Sequence, residues 1–286
     1  MMGSHDRAVI VHADDIGMCH ATIAAFADLI DVGFVTSASL MVPCAWFATA
    51  AALCRTLPAA DIGVHLTHTA EWELYRWAPL TPAPTLRDAE GCFPRSTAVL
   101  WAQADPAEML AESRAQIERV LAAGIDVTHL DSHMGAVFHP AYLAGYLALA
   151  EEFALPALLP RSSAESLLKL GITGAAADQI LAQQAALAAR GLPIIEHVTG
   201  MPLDRHEDRA ATIHETFAAL PPGISYLILH PAADTAELRA IASNDYRGRA
   251  ADLAAFADRQ LRDAADAHGV RRIGWRAIRD AMRAGR

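Results

Sequence analysis

The sequence predicts an α/β protein whose fold is a distorted (β/α) TIM-like barrel with seven or eight strands. Two observations support this fold class. Short, apolar, strand-like runs alternate with longer helical patterns along the 286 residues, and polar residues follow the ends of several of these runs. A doubly wound open sheet is the alternative that the same alternation permits. The predicted strands cover residues 8–13, 35–42, 61–66, 126–130, 157–159, 193–198, 225–229 and 272–274.

The predicted helices fill the intervals and cover residues 21–31, 46–57, 106–123, 140–153, 174–189, 209–220, 249–268 and 275–284. Pro106 and Pro140 stand at helix starts, where the missing N–H costs nothing. Because no linker or repeat interrupts the alternation, residues 1–286 are interpreted as one domain. A long insert at about residues 67–105 is expected to lie over the active-site face as a lid or binding loop.

The charge and the cysteines of the chain argue against several classes of protein. Its net charge of −10 disfavours binding to nucleic acid or to an anionic membrane, since both require a positive field. The four cysteines form no CxxC pair, which is typical of free thiols in a reducing, cytoplasmic compartment. The uncharged stretch 34–54 contains threonine, serine and proline, and it is interpreted as strand, turn and helix, not as a membrane span.

Carboxylates and imidazoles follow four of the predicted strands. Asp14 and Asp15 leave the first strand, His65 ends the third, His133 follows the fourth and His230 follows the seventh. The carboxyl ends of parallel strands in a barrel converge on one face, where such folds carry out their chemistry. These side chains are therefore expected to share a site.

Two histidines and one aspartate are the ligand types of an open catalytic metal site. Successive residues leaving a strand point opposite ways, so one of the paired aspartates can bind the metal while the other serves as a base. His68 could replace His65 if the third strand ends late. Asp131 is either a further ligand or an acceptor that orients a ligand histidine, and His129 lies deeper on the same face. The place of His230 suits a general acid or a group that polarises an oxyanion.

Four ordered motifs resemble those of the YdjC/ChbG-like carbohydrate deacetylases. They are His12-Ala-Asp-Asp-Ile-Gly17, Gly63-Val-His65-Leu, His129-Leu-Asp-Ser-His133 and Leu229-His-Pro231. The resemblance implies a metal-dependent deacetylase of N-acetylated sugars on a distorted barrel. It also implies one divalent metal, zinc or magnesium, and the two-histidine ligand set favours zinc.

The resemblance further implies a role for each motif residue. Asp15, His65 and His133 would be the metal ligands, Asp14 the general base and His230 the partner acid. The sequence departs from the pattern where His12 replaces the usual asparagine, where Ile16 replaces an aromatic residue, and where Met134-Gly135 replaces further histidines. Since these departures surround the ligand set, the chitooligosaccharide specificity of the family is not carried over.

The predicted reaction is hydrolysis of the acetamide of a small-molecule or oligosaccharide substrate. Asp14 takes the proton of the attacking water, and His230, as imidazolium, stabilises the oxyanion or protonates the leaving amine. The rival interpretations are a barrel metallohydrolase of another amide or ester, and a glycan-binding homologue without turnover. A homodimer is possible, since the alanine-rich helices could supply an apolar surface.

Several further residues are candidates for contact with the substrate or the base. Arg161, after the fifth predicted strand, could hold Asp14 ionised or bind a substrate hydroxyl, or it could be an ordinary surface arginine. The residues of the insert that could stack on a sugar ring, or instead pack the rim or a dimer contact, are Trp72, Tyr75, Arg76 and Trp77.

Overall fold

The structure, a computed structural model, describes residues 6–169, 172–190 and 194–284. Its centre is a sheet of seven strands in which every pairing is parallel. The strands are β1 Arg7–Ile16, β2 Ser37–Leu40, β3 Ile62–Leu66, β4 Val127–Ser132, β5 Ile195–Gly200, β6 Gly223–Leu229 and β7 Val270–Arg272. Their order is β4-β3-β2-β1-β6-β5, and β7 pairs with the first residues of β1.

The sheet is a curled half-barrel and not a closed TIM barrel. Between β4 and β5 the described residues form two isolated bridges, Leu130 with Ala157 and Pro160 with Ile195. The strand predicted at residues 157–159 therefore exists as a bridging segment without a ladder. Pro156 and Pro160 flank this segment, and proline has no N–H to donate to a neighbouring strand. The last predicted strand is also displaced, from 272–274 to Val270–Arg272.

Helices occupy the intervals between the strands, as the alternation predicts. They are α1 His20–Val32, α2 Phe47–Arg55, α3 Thr97–Gln103, α4 Pro106–Ala122, α5 Pro140–Glu152, α6 Ala164–Lys169, α7 Gly174–Ala189, α8 Arg209–Ala219, α9 Ala236–Ile241, α10 Tyr246–Phe256, α11 Ala264–Ala267 and α12 Trp275–Ala284. The single helix predicted at 249–268 is two helices, α10 and α11, separated by hydrogen-bonded turns. Within the described ranges, none of these helices has the length and apolar content needed to cross a membrane.

The alternation of side chains along the strands determines what faces the inside of the half-barrel. Ala8 and Ile10 of β1 pack in an inner cluster with Tyr226 and Trp275, while Val9 and Val11 belong to the larger core beneath the helices. Successive strand residues point to opposite faces, so His12 and Asp14 continue the inner row of β1. The same two-residue period brings further polar side chains to the inside, namely His65 on β3, His129 and Asp131 on β4, and His230 after β6.

The insert at 67–105 is built around its own polar contacts. Arg76 donates to Asp88, Glu90 and the carbonyl of Phe93. Glu112 of α4 accepts from the backbone of Leu80 and Thr81, which anchors the middle of the insert to the helix that follows it. The insert thus has a fixed shape against the barrel.

Candidate active site

A pocket of about 580 Å³ opens at the carboxyl ends of the strands. One side of it is polar and the other is mostly aliphatic and aromatic. Its lining residues are Asp14, Asp15, His65, Glu71, Trp72, Asp131, Ser132, His133, Met134, Gly135, Phe138, Leu158, Pro160, Val198, Leu203, Tyr226, Ile228, His230, Asp245 and Arg249. The pocket therefore brings together all five side chains that the sequence predicts to share a site, namely Asp14, Asp15, His65, His133 and His230.

Asp15 lies at the centre of the polar side. Its backbone has φ +64°, a left-handed conformation in which aspartate and asparagine are tolerated better than most residues. Its Oδ1 atom lies 3.3 Å from His65 Nε2 and 3.2 Å from His133 Nδ1, and its Oδ2 atom accepts a 2.8 Å hydrogen bond from Arg249. Burial would raise the pKa of Asp15, but Arg249 and the two imidazoles hold this pKa well below its usual range. Asp15 is therefore a carboxylate.

The arrangement of Asp15, His65 and His133 fits a divalent metal. Asp15 Oδ1 is buried and accepts no well-formed hydrogen bond from the described residues, although two imidazole nitrogens face it. A four-coordinate zinc with bonds of about 2.0–2.1 Å has ligand atoms about 3.3 Å apart, close to the N–O separations found here. Two imidazoles and one carboxylate are also a donor set typical of zinc.

Two other groups of side chains have ligand atoms within 4.8 Å of one another. One is Asp14, His65 and Asp131, in which Asp131 contacts Nδ1 of His65 and the opposite ring nitrogen points towards Asp15. The other is His12, His129 and Asp131, of which neither histidine lines the pocket. The Asp14 group and the Asp15 group both line the pocket and both contain an unmatched carboxylate oxygen. The Asp15 group differs because two imidazole nitrogens face the same carboxylate oxygen at 3.2 and 3.3 Å, whereas Asp14 is 3.9 Å from His65 Nε2.

The two candidate ligand histidines are each held by a second carboxylate. Asp131 Oδ1 lies 2.9 Å from His65 Nδ1, and Glu71 Oε2 lies 3.0 Å from His133 Nε2. Burial alone would lower the pKa of His133, but Glu71 and Asp15 raise it to about 9. Carboxylates that bind the far nitrogen of a ligand histidine fix the ring orientation and increase its basicity.

We expect Asp131→Asn to weaken metal binding by about 10- to 100-fold, because a neutral amide orients and polarises His65 less well than a carboxylate. The measurement is a competition titration of zinc against a chelator. Asp126→Asn is the matched control, since Asp126 pairs with Arg276 and Arg279 and does not line the pocket. Equal zinc affinity in the Asp131→Asn and Asp126→Asn proteins would contradict this role of Asp131.

Asp14 and His230 face each other beside the Asp15 group. Asp14 Oδ2 lies 3.9 Å from His65 Nε2 and 3.8 Å from His230 Nε2, and Asp14 Oδ1 accepts no well-formed hydrogen bond from the part of the chain described. Burial lowers the pKa of His230, and Arg249 adds to this against the opposing effect of the aspartates. These surroundings favour the neutral form of the ring.

Among the other predicted residues, Asp131 is in the site and His129 lies beneath it. The His129 ring stacks on Trp275 at 5.1 Å, and its Nε2 atom is 3.9 Å from Asp131. A Cβ atom on Gly63 would lie 2.4 Å from this ring, so glycine is required at that position for His129 to fit. His129 thus supports the site from the inside of the barrel.

Arg161 does not reach Asp14. Its guanidinium is half exposed and forms an ion pair with Glu196 of β5. Arg161 is therefore an ordinary surface arginine, which was the alternative interpretation of this residue. The cause is the bridging segment itself, because the Arg161 N–H bonds to Ile195 and directs the residue along β5. The arginine that does contact a site carboxylate is Arg249 of α10.

The four candidate residues of the insert separate into one that lines the pocket and three that do not. Trp72 is in the pocket wall, with the Arg249 guanidinium 5.6 Å above its ring. Trp77 is buried and donates to the carbonyl of Thr69, and Tyr75 donates to the carbonyl of Met18. Arg76 is engaged within the insert, as described above. Of these four residues, Trp72 is the one positioned to stack on a substrate ring.

Sequence reasoning missed Glu71, Arg249, Asp245 and Tyr226. Glu71 follows the predicted His65 motif closely, and its position next to Trp72 was the available signal. Asp245 and Arg249 lie 230 and 234 residues after Asp15, and their only local signal is an acidic residue four positions before a helical arginine. Tyr226 belongs to an apolar strand, and its hydrogen bond to Asp131 has no sequence signal.

His68 does not replace His65. It is fully buried and bonds Ser113 Oγ at 3.0 Å, outside the pocket lining. Burial lowers the pKa of His68 from 6.5 to about 3, with a smaller contribution from His133. The folded protein therefore keeps this ring neutral at acidic pH.

This buried ring predicts a component of acid sensitivity. Below pH 6.5 the unfolded chain protonates His68 and the folded chain does not, so the free energy of unfolding should fall by about 1.4 kcal/mol per pH unit down to about pH 3. His68→Gln should remove this component, worth about 2–3 kcal/mol between pH 6.5 and 4.5. Urea denaturation at both pH values measures it, and an unchanged pH dependence in the variant would contradict the assignment.

The fold and the site define a class of protein, an α/β half-barrel with carboxylates and imidazoles in a pocket at the carboxyl ends of its parallel strands. Residues 8–267 match the YdjC-like protein family, and the chain belongs to that family. This confirms the resemblance found in the four sequence motifs.

Curated relatives agree with this membership, and one solved structure shares the fold. A carbohydrate deacetylase of Thermus thermophilus is 36% identical over 285 residues, which cover 96% of this chain and 95% of that protein. A carbohydrate deacetylase of Brevibacillus brevis is 38% identical over 153 residues, or 53% of this chain and 59% of that protein. The fold is similar to the crystal structure of an Enterococcus faecalis protein provisionally assigned to cellobiose-phosphate cleavage. Its TM-score is 0.77 at 20% identity, covering 96% of this chain and 99% of that one.

Proposed function

We propose that this chain is a metal-dependent carbohydrate N-deacetylase, which hydrolyses the acetamide of an N-acetylated sugar or glycan. The observation that carries the proposal is the convergence of Asp15, His65 and His133 on one point of a pocket, with the carboxylate of Asp14 beside them. The names of the Thermus and Brevibacillus relatives support the substrate class.

The metal is the first element of the proposed mechanism. Asp15, His65 and His133 would hold it, and the donor set favours zinc over magnesium. A divalent metal bound there supplies a Lewis acid for the acyl oxygen and for activation of the attacking water. Asp131 and Glu71 keep the two imidazoles in the required orientation through their far nitrogens.

Asp14 and His230 move the protons. Asp14 accepts a proton from the water, whose oxygen forms the new bond to the acetyl carbon. His230 Nε2 lies 3.8 Å from Asp14 Oδ2, which is longer than a hydrogen bond, so the proton passes to the ring through one bridging water and then to the nitrogen of the breaking C–N bond. Acetate and a free amino sugar result. A base beside a neutral imidazole thus suits both the activation of the water and the protonation of the leaving nitrogen.

The pocket has the size and one of the surfaces that a sugar requires. Its volume of about 580 Å³ falls within the range of about 300–1,000 Å³ typical of small-molecule sites. Trp72 lies in the pocket wall, where its indole can pack against a sugar ring. The polar side carries five carboxylates, namely Asp14, Asp15, Glu71, Asp131 and Asp245, which can accept hydrogen bonds from sugar hydroxyls.

A metallohydrolase of another amide or of an ester is the second candidate function. The same ligands, base and imidazole serve any acyl transfer to water, and the aliphatic side of the pocket accommodates groups other than sugars. The two functions differ in the leaving group, so a panel of substrates that share the acetyl group separates them.

The test is acetate release from N-acetylated monosaccharides and oligosaccharides, an O-acetylated sugar and a simple acetyl anilide. Each substrate is tested with chelator-treated enzyme and after zinc or magnesium is restored. We expect release from at least one N-acetylated sugar, only with metal, and none from the anilide. Release from the anilide or the O-acetyl sugar alone would favour the second function, and metal-independent release would overturn both.

A further inference from the structure

His12 occupies an unusual position directly beneath the catalytic carboxylates. It is fully buried on the inner face of β1, and its Nε2 atom lies 3.0 Å from Ser39 Oγ, 3.1 Å from Asp14 Oδ1 and 2.9 Å from Asp131 Oδ2. One ring nitrogen therefore contacts both the proposed base and the carboxylate that orients a metal ligand.

The ring is fixed from its other side and from its face. His12 Nδ1 lies 2.6 Å from Ser37 Oγ, and the ring stacks on Tyr226 with centroids 4.9 Å apart and planes 28° from parallel. Tyr226 in turn donates a hydrogen bond to Asp131 Oδ2. The imidazole has no room to rotate away from the two carboxylates.

These contacts form a continuous path through the site. Asp14 Oδ1 contacts His12 Nε2, which contacts Asp131 Oδ2, and Asp131 Oδ1 contacts Nδ1 of His65. The base and the metal ligand are thus connected through one imidazole and one carboxylate. A displacement of His12 would therefore change the position of Asp14 directly and that of His65 through Asp131.

Electrostatics require a proton donor at the position of His12. Two buried carboxylates that face one point repel each other unless a donor lies between them. Burial would lower the pKa of His12, but its contacts with Asp131 and Asp14 outweigh this and raise the pKa above its usual value. A protonated ring places its positive charge between the two carboxylates, whereas an asparagine at this position would supply only a neutral amide.

We propose that His12 is a positioning residue that holds Asp14 and Asp131 in place together, and so couples the geometry of the base to that of the metal ligand His65. The kinetic part of this inference rests on the proposed deacetylase function, and the structural part does not. His12 itself does not line the pocket and is not expected to contact substrate.

The test compares His12→Asn, His12→Gln and His68→Gln. Glutamine can place an amide N–H near the position of Nε2, whereas the shorter asparagine cannot reach it. His68→Gln is the control, as it replaces an equally buried, serine-bonded histidine away from the site. At saturating metal we expect His12→Asn to lower kcat by about 10- to 100-fold with KM changed less than about 2-fold. His12→Gln should recover part of the loss, and zinc affinity should fall by about 10-fold in His12→Asn.

Other outcomes would overturn the proposal. These are a loss in KM alone, an equal loss in His68→Gln, or unchanged kcat and zinc affinity in His12→Asn. Two zinc ions per wild-type chain, with one lost in His12→Asn, would also overturn it, since His12 would then be a ligand.

Two measurements do not depend on turnover and so separate this proposal from the proposed function. The first is the zinc titration, and the second is the ¹⁵N spectrum of the histidine rings of the wild-type protein, which decides the matter if the variants do not fold. The spectrum is recorded on the zinc-loaded protein, in which His65 and His133 each use one ring nitrogen as a ligand and cannot be doubly protonated. There we expect one slowly exchanging ring with both nitrogens protonated at pH 7. If no such ring is found, the proposal is wrong even if acetate is released.

Discussion

Asp14→Asn should lower kcat by about 10²- to 10⁴-fold while zinc still binds at one ion per chain. Asparagine has nearly the same shape as aspartate but cannot accept a proton from water at neutral pH. The proposed metal ligands Asp15, His65 and His133 are untouched, since Asp14 Oδ2 is 3.9 Å from the nearest of their nitrogens. The measurements are the initial rate of acetate release at saturating substrate and the zinc content after dialysis.

This variant also tests which of the adjacent aspartates is the base. If Asp14→Asn loses zinc as well as activity, Asp14 is a ligand, as in the alternative group of Asp14, His65 and Asp131. If the rate is unchanged, neither the base nor the proton path to His230 is as proposed. Asp126→Asn again serves as the control, because it changes the same chemistry at an ion pair outside the pocket.

The parts of the site that were predictable from the sequence are those determined by strand geometry. His65, Asp131, His133 and His230 each follow an apolar run at a spacing that places them on one face, and parallel strands bring their carboxyl ends together. Asp14 belongs to the same inner row as His12. Only the period of two and the direction of the strands are needed for this result, and both can be read from the sequence.

The parts that were not predictable depend on contacts between distant segments. Arg161 was the candidate for a cation beside the carboxylates, but the structure places Arg249 there, 234 residues after Asp15 in the chain. No local pattern distinguishes one helical arginine from another. Glu71 likewise acquires its role only because the start of the insert passes over His133.

The irregular connection between β4 and β5 explains why the strand predicted at 157–159 does not form a ladder. The apolar run at 157–159 is typical of a strand, yet prolines at 156 and 160 remove the donors that a ladder on either side needs. The chain therefore crosses the gap between β4 and β5 by isolated bridges. This gap also lies beside the pocket, since Leu158 and Pro160 are part of its apolar wall.

Asp15 occupies the position at which the proposed metal site, a buried cation and a left-handed backbone conformation meet. Its Oδ1 faces the two imidazoles, and its Oδ2 binds Arg249, whose side chain is only 4% exposed. Arg249 also contacts Asp245, so Asp15 provides about half of its carboxylate partners. A change at Asp15 should therefore affect both metal binding and folding.

We expect Asp15→Asn to abolish stoichiometric zinc binding and to lower the free energy of unfolding of the metal-free protein by about 3 kcal/mol, because a buried arginine loses a charged partner. Asp15→Ala should lower the free energy of unfolding by about a further 1–2 kcal/mol, since alanine tolerates the φ of +64° poorly and asparagine tolerates it well. Zinc content and urea denaturation in the presence of chelator measure the two effects, and Asp14→Asn is the neighbouring control that should keep zinc.

A protein with Asp15→Asn that retains one zinc per chain would remove Asp15 from the ligand set. Equal stability of the two Asp15 variants would show instead that the left-handed backbone at this position relaxes, and that the charge of Asp15 alone determines its contribution to folding.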